Sequence, residues 1–81
     1  MAQIDIRKLT KINKERNMVH DEVFATYTVF DDGGEKYLQI DTYGKAGRVN
    51  PEKVSQSLQL NREAALYLTN LLIEEFDIKI C

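Results

Sequence analysis

The chain has 81 residues, 43% of them hydrophobic and 30% charged, with a single cysteine, Cys81. That is enough apolar material for one core and too little length for a second, so residues 1–81 are expected to form a single domain. The sequence contains no run of about 18 apolar residues, no signal-like apolar segment near residue 1 and no cysteine pair, which points to a cytoplasmic protein without a membrane span or disulfide framework.

The net charge of −2 is unevenly spread. Residues 1–16 carry +3, residues 17–43 carry −5, residues 44–62 carry +3 and residues 63–81 carry −3. Two basic segments far apart in sequence can meet in a fold, or can simply be solvated charge on turns.

Ile4 and Ile6 alternate, and Leu9 and Ile12 follow, which predicts a first strand with an irregularity at Arg7-Lys8. Residues 14–17 read as a polar turn. Residues 19–30 are rich in β-branched and aromatic side chains and predict a second strand. Asp31-Asp32-Gly33-Gly34 is the strongest turn signal, since glycine supplies the positive φ of a tight hairpin. Either Phe30 or Asp32 then faces Glu35. Both choices put Val23, Ala25, Tyr27, Val29, Leu38 and Ile40 on one face, with Phe24, Thr26, Thr28, Phe30, Tyr37, Gln39 and Tyr43 on the other.

Gly44, Gly47, Asn50 and Pro51 mark residues 44–53 as a loop. Residues 54–60 alternate cleanly, with Leu58 and Leu60 inward. Asn61 is a suitable N-cap, and Ala64, Ala65, Leu68, Leu71, Leu72 and Phe76 form one stripe at helical spacing. Leu66 and Ile73 lie nearly opposite that stripe and are candidates for an oligomer contact. Residues 77–81 either extend the helix or add a short edge strand. The expected fold is therefore α+β: a four-stranded antiparallel sheet followed by one C-terminal helix packed on one face, in the order ββββα.

Little in this pattern supports catalysis. His20 is the only histidine and, with Cys81, forms no recognisable nucleophile–base motif. Asp31, Asp32 and Glu35 lack the spacing of a calcium loop, and Gly33-Gly34 lacks the lysine and the helix of a phosphate loop. No catalytic residue, metal or cofactor is expected. Single-stranded nucleic acid is a better match, because it requires cations for phosphates and flat rings for bases. Lys45, Arg48, Lys53 and Arg62 supply the first, and Tyr37 and Tyr43 the second, with Phe24 and Phe30 as further rings. Gln39, Ser55, Gln56, Ser57 and Gln59 add hydrogen-bonding groups, while Asp41 in their midst opposes phosphate.

The segments QIDTYG and KVSQSLQLNREAA resemble pieces of the single-stranded-DNA-binding transcriptional coactivator family, the positive cofactor four-like proteins, over about residues 36–76. The resemblance implies a curved sheet, dimerisation helped by the helix and binding of unpaired strands. It carries binding onto Lys45, Arg48, Lys53 and Tyr43. Where the family has a tryptophan this chain has Tyr43, and where it has an arginine this chain has Thr42. The expected function is a non-enzymatic homodimeric binder of single-stranded DNA or RNA, linked to transcription or DNA processing. The alternative is a small protein-interaction module, such as a phage or mobile-element regulator, using Leu66 and Ile73 or an open strand edge.

Overall fold

The computed structural model describes residues 1–44 and 53–80. A two-residue strand β1 (Ala2–Gln3) leads into a single 3-10 turn (Ile6–Lys8). It is followed by β2 (Ala25–Asp32), β3 (Glu35–Tyr43), β4 (Val54–Leu60) and helix α1 (Arg62–Glu75). The four strands form one sheet in the order β1-β4-β3-β2, with α1 after it, so the fold is α+β.

The sheet is mixed rather than fully antiparallel. β2 and β4 run antiparallel to β3, but β1 runs parallel to β4, pairing Ala2 with Leu58 and Gln3 with Gln59. The long first strand expected around residues 4–12 does not form. Asp5 caps the 3-10 turn instead, its carboxylate accepting from the Arg7 backbone N–H at 3.0 Å and from Arg7 Nε at 3.1 Å. Lys8 N–H bonds Asp5 O at 2.9 Å, and these local bonds compete successfully with strand extension. With no strand on its outer side, β2 begins at Ala25 rather than at residue 19. A bond from Tyr43 N–H to Phe24 O, 3.0 Å, prolongs its pairing by one residue.

Asp32 faces Glu35, leaving Gly33 and Gly34 alone in the turn at φ 61° and 85°. Both angles are positive, as a type I′ hairpin requires, and that turn matches the strands' twist. The register then pairs Val29 with Leu38 and Tyr27 with Ile40, and β4 adds Leu60 opposite Leu38 and Leu58 opposite Ile40. These residues make the apolar face. Thr26, Thr28, Phe30, Tyr37, Gln39, Asp41, Ser57 and Gln59 make the opposite, polar face. Pairing is irregular between Thr42 and Tyr43, where Tyr43 opposes Val54 and Ser55 is skipped, a β-bulge.

Asn61 caps α1, its side-chain oxygen accepting from the Ala64 backbone N–H at 2.9 Å. The cap drives the first helical turn onto the end of the sheet, where Leu60 is 7% and Ala64 0% exposed. Coverage fades beyond that turn: Ala65, Leu68 and Leu71 are half-buried, while Leu72 is 47% and Phe76 71% exposed. The helix ends in a Schellman-type turn, with Asp77 at φ 52° and Ile78 N–H bonded to Ile73 O at 3.1 Å. Residues 78–80 therefore neither extend the helix nor form a strand.

The apolar face stays largely open. Tyr27 is 75% and Val29 52% exposed, and no large side chain among the described residues is fully buried. The radius of gyration is 15.1 Å, against about 12 Å for a compact domain of this length.

Candidate nucleic-acid interface

The polar face carries a connected ladder of hydrogen bonds across β3 and β4. Register places Asp41 opposite Ser57 and Gln39 opposite Gln59. Gln59 Nε2 donates to Gln39 Oε1 at 2.8 Å, and Gln39 Nε2 donates to Asp41 Oδ1 at 2.9 Å. The Ser57 hydroxyl donates to the same Oδ1 at 2.5 Å, the short distance of a charge-assisted bond. Every donation runs towards Asp41, so the carboxylate sets the direction of the whole ladder. Asp41, Gln39 and Gln59 are half-buried, and Ser57 is the buried polar residue among those described.

A ring pair stands at each end of the ladder. Phe24 and Tyr43 have centroids 5.3 Å apart with planes at 47°, and the Tyr43 hydroxyl lies 3.1 Å from Thr26 Oγ1. Phe30 and Tyr37 stack at 5.6 Å and 24°. The two tyrosines are six positions apart on β3, about 20 Å at strand rise. Phe24 is 66% exposed and leaves a ring surface open to solvent.

The cations predicted for this surface do not all gather there. Lys53 is exposed beside Val54, which opposes Tyr43, so Lys53 and Tyr43 share one end of the sheet. Lys45 and Arg48 lie outside the described residues. Arg62 sits elsewhere: with Lys36, Val29, Leu38, Ala65, Leu66 and Thr69 it lines a groove of about 340 Å³ between α1 and the apolar face. Cross-strand geometry explains this, because Leu60 points to the apolar face and the helix begins just after it. Tyr37 occupies the end furthest from Lys53, beside the acidic hairpin. Its hydroxyl donates to Glu35 Oε2 at 3.1 Å, and that bond to a carboxylate holds the phenol above its ordinary range.

The proposed contact residues Leu66 and Ile73 both lie on α1 and differ in exposure. Leu66 is 57% exposed in the groove, whereas Ile73 is half-buried and its carbonyl closes the helix terminus. Near the start of α1, Arg7 is held by Asp5, and both line a cleft of about 540 Å³ with Asn61 and Glu63. The side-chain bond from Arg7, then its backbone N–H, keeps the Asp5 carboxyl below the usual carboxylate range. His20 is exposed on the segment before β2, lining an open cleft with Met18, Tyr43 and Gln56. Among the described residues no group of three His, Cys, Asp or Glu is placed to hold a metal ion. No helix there is long and apolar enough to cross a membrane.

What the sequence left unseen is the bonding among the polar residues. Gln39, Ser57, Gln59 and Asp41 were visible as outward positions, but their mutual contact depends on the β3–β4 register. The sequence between the two strands does not specify that register.

No family model, no curated protein and no solved structure matches the chain.

Proposed function

We propose that the protein is a non-enzymatic, homodimeric binder of single-stranded DNA or RNA. The polar face of β2, β3 and β4 is the platform on which bases lie. The observation that carries this reading is the ladder of amides and a carboxylate held between two aromatic pairs. Rings offer stacking worth about 1–3 kcal/mol per base, and the ladder offers edges for hydrogen bonding. Phosphates run past the Lys53 end, and Lys45 and Arg48, near Lys53 in the sequence, add to the positive charge. They avoid Asp31, Asp32 and Glu35 at the hairpin. A role in transcription or DNA processing fits the resemblance of residues 36–76.

The other face supports the homodimer reading. The domain is expanded for its length and leaves Tyr27, Val29, Leu66 and Phe76 exposed. An 81-residue chain with so little fully buried side-chain volume gains most from a partner present whenever it folds, and a second copy always is. Apolar surface on both the sheet and α1 then supplies the joint core. The reading in which this surface instead serves a different protein predicts a monomer in isolation.

The test is fluorescence anisotropy of a labelled mixed-sequence oligonucleotide at low salt and at fourfold higher salt. Three phosphate contacts predict a loss of affinity of about 20-fold over that range. Absence of binding at low salt would refute the nucleic-acid reading. A solution mass of 9.4 kDa, rather than twice that, would refute the dimer. Leu66→Glu is expected to weaken the dimer without moving the polar ladder.

A further inference from the structure

We infer that the groove between α1 and the apolar face receives residues 76–80 of a second copy, each protomer seating its segment in the other. This rests on the homodimer reading above and says where the two copies meet. Val29, Leu38, Leu60 and Leu66 line the groove, with Lys36 and Arg62 beside them. At about 340 Å³ it has the size of a small binding pocket and is far too large for a packing gap. An apolar floor flanked by two cations suits an apolar segment that carries acids.

The end of α1 is such a segment. Phe76, Ile78 and Ile80 are 71%, 48% and 69% exposed, three large apolar side chains within five residues. Glu74, Glu75 and Asp77 outweigh Lys79, so residues 74–80 carry −2. These charges are badly placed for a lone helix, because the last turn holds acids and no base at the negative end of the helix dipole. Glu74 and Glu75 form no ion pair among the described residues, and neither does Arg62 at the positive end. Lys36 stands opposite Asp31 in the hairpin without pairing to it, and Glu63 lines the Arg7 cleft rather than the groove. Phe76 cannot fill the groove of its own copy. Its N–H closes the helix on Leu72 O at 3.0 Å, and Leu66 lies ten residues back, about 15 Å along α1. A second copy related by a two-fold axis brings acids to cations and apolar side chains to the groove at both contacts at once.

The experiment exchanges the charges between two full-length variants. Lys36→Glu/Arg62→Glu has an acidic groove and an acidic segment, whereas Glu74→Lys/Glu75→Lys has a basic groove and a basic segment. Each alone sets like charges together at both contacts of a homodimer. Sedimentation equilibrium should show each dimerising at least about tenfold more weakly than wild type. An equimolar mixture restores opposite charges at both contacts. Native mass spectrometry should then find a one-to-one heterodimer, with a dissociation constant close to that of the wild type. A third variant, Phe76→Ser/Ile80→Ser, removes the apolar anchors from exposed positions. It should weaken the dimer by about tenfold or more while its circular dichroism spectrum stays unchanged.

A dimeric wild type whose strength survives Phe76→Ser/Ile80→Ser, or survives either charge exchange, overturns this contact and leaves the dimer standing. Two folded charge variants that remain monomeric when mixed overturn it as well. A monomeric wild type refutes the homodimer reading and this occupant with it, leaving the groove to a different molecule.

Discussion

Replacing Asn61 with alanine tests how the helix is attached to the sheet. The Asn61 side chain accepts from the Ala64 N–H at 2.9 Å, and Ala64 is 0% exposed. An exposed N-cap costs about 1 kcal/mol when removed, because water takes over the orphan donor. Water has no such access here, so the amide is left without an acceptor and the cost rises to about 2 kcal/mol. That is a factor of about 30 in the folding equilibrium and a fall in Tm of about 8–16 °C for a domain of this size. Thermal and urea unfolding followed by circular dichroism, at one fixed protein concentration because association contributes, measures the loss. Asn61→Asp keeps the acceptor and adds negative charge at the positive end of the helix, so it should lie within about 0.5 kcal/mol of wild type. A loss below about 0.5 kcal/mol for Asn61→Ala would show that the cap does not hold α1 on Leu60.

Three further outcomes rest on backbone angles and one hydrogen bond. Asp77→Gly should raise stability by about 0.5–1 kcal/mol in urea unfolding. It relieves a left-handed residue and removes an anion from a helix end that already carries Glu74 and Glu75. Gly34→Ala should cost about 1–2 kcal/mol through backbone strain alone, since its Cβ would meet nothing within 4 Å, whereas Gly33→Asn should be tolerated. In an alkaline titration followed by ultraviolet absorbance, the Tyr37 phenol should ionise above its ordinary range, and Glu35→Gln should bring its ionisation back down. The sign comes from the raised phenol. The fold prefers neutral Tyr37, so this contribution is complete below the ordinary phenol range and is lost as pH rises through the folded value.

The hairpin and the helix were legible because their signals are local. Gly33-Gly34 demands positive φ, Asn61 can cap only a helix that starts just after it, and the two-residue alternation around Leu38 and Ile40 assigns faces whichever turn length is chosen. The first strand was not legible because its failure depends on a side chain. Ile4 and Ile6 alternate as in a strand, but Asp5 turns back on Arg7 and closes a helical turn. The parallel pairing of Ala2–Gln3 with β4 joins segments far apart in the sequence and has no local signature. For the candidate site, the residue types on the polar face were readable, and the grouping of cations was not. Arg62 looked contiguous with the lysines along the chain, yet the start of α1 carries it to the opposite face.

The bulge at Thr42–Tyr43 has a consequence for the kind of polymer this surface admits. The skipped residue, Ser55, belongs to β4, so β4 bends, its local twist sharpens, and the sheet turns a corner beside Thr42 and Tyr43. A double helix, stiff over about 150 base pairs, spans such a corner only by losing contact on one side of it. An unpaired strand can pivot at each phosphate and stay in touch with both. On the proposed single-strand reading, this bend favours unpaired strands over duplexes.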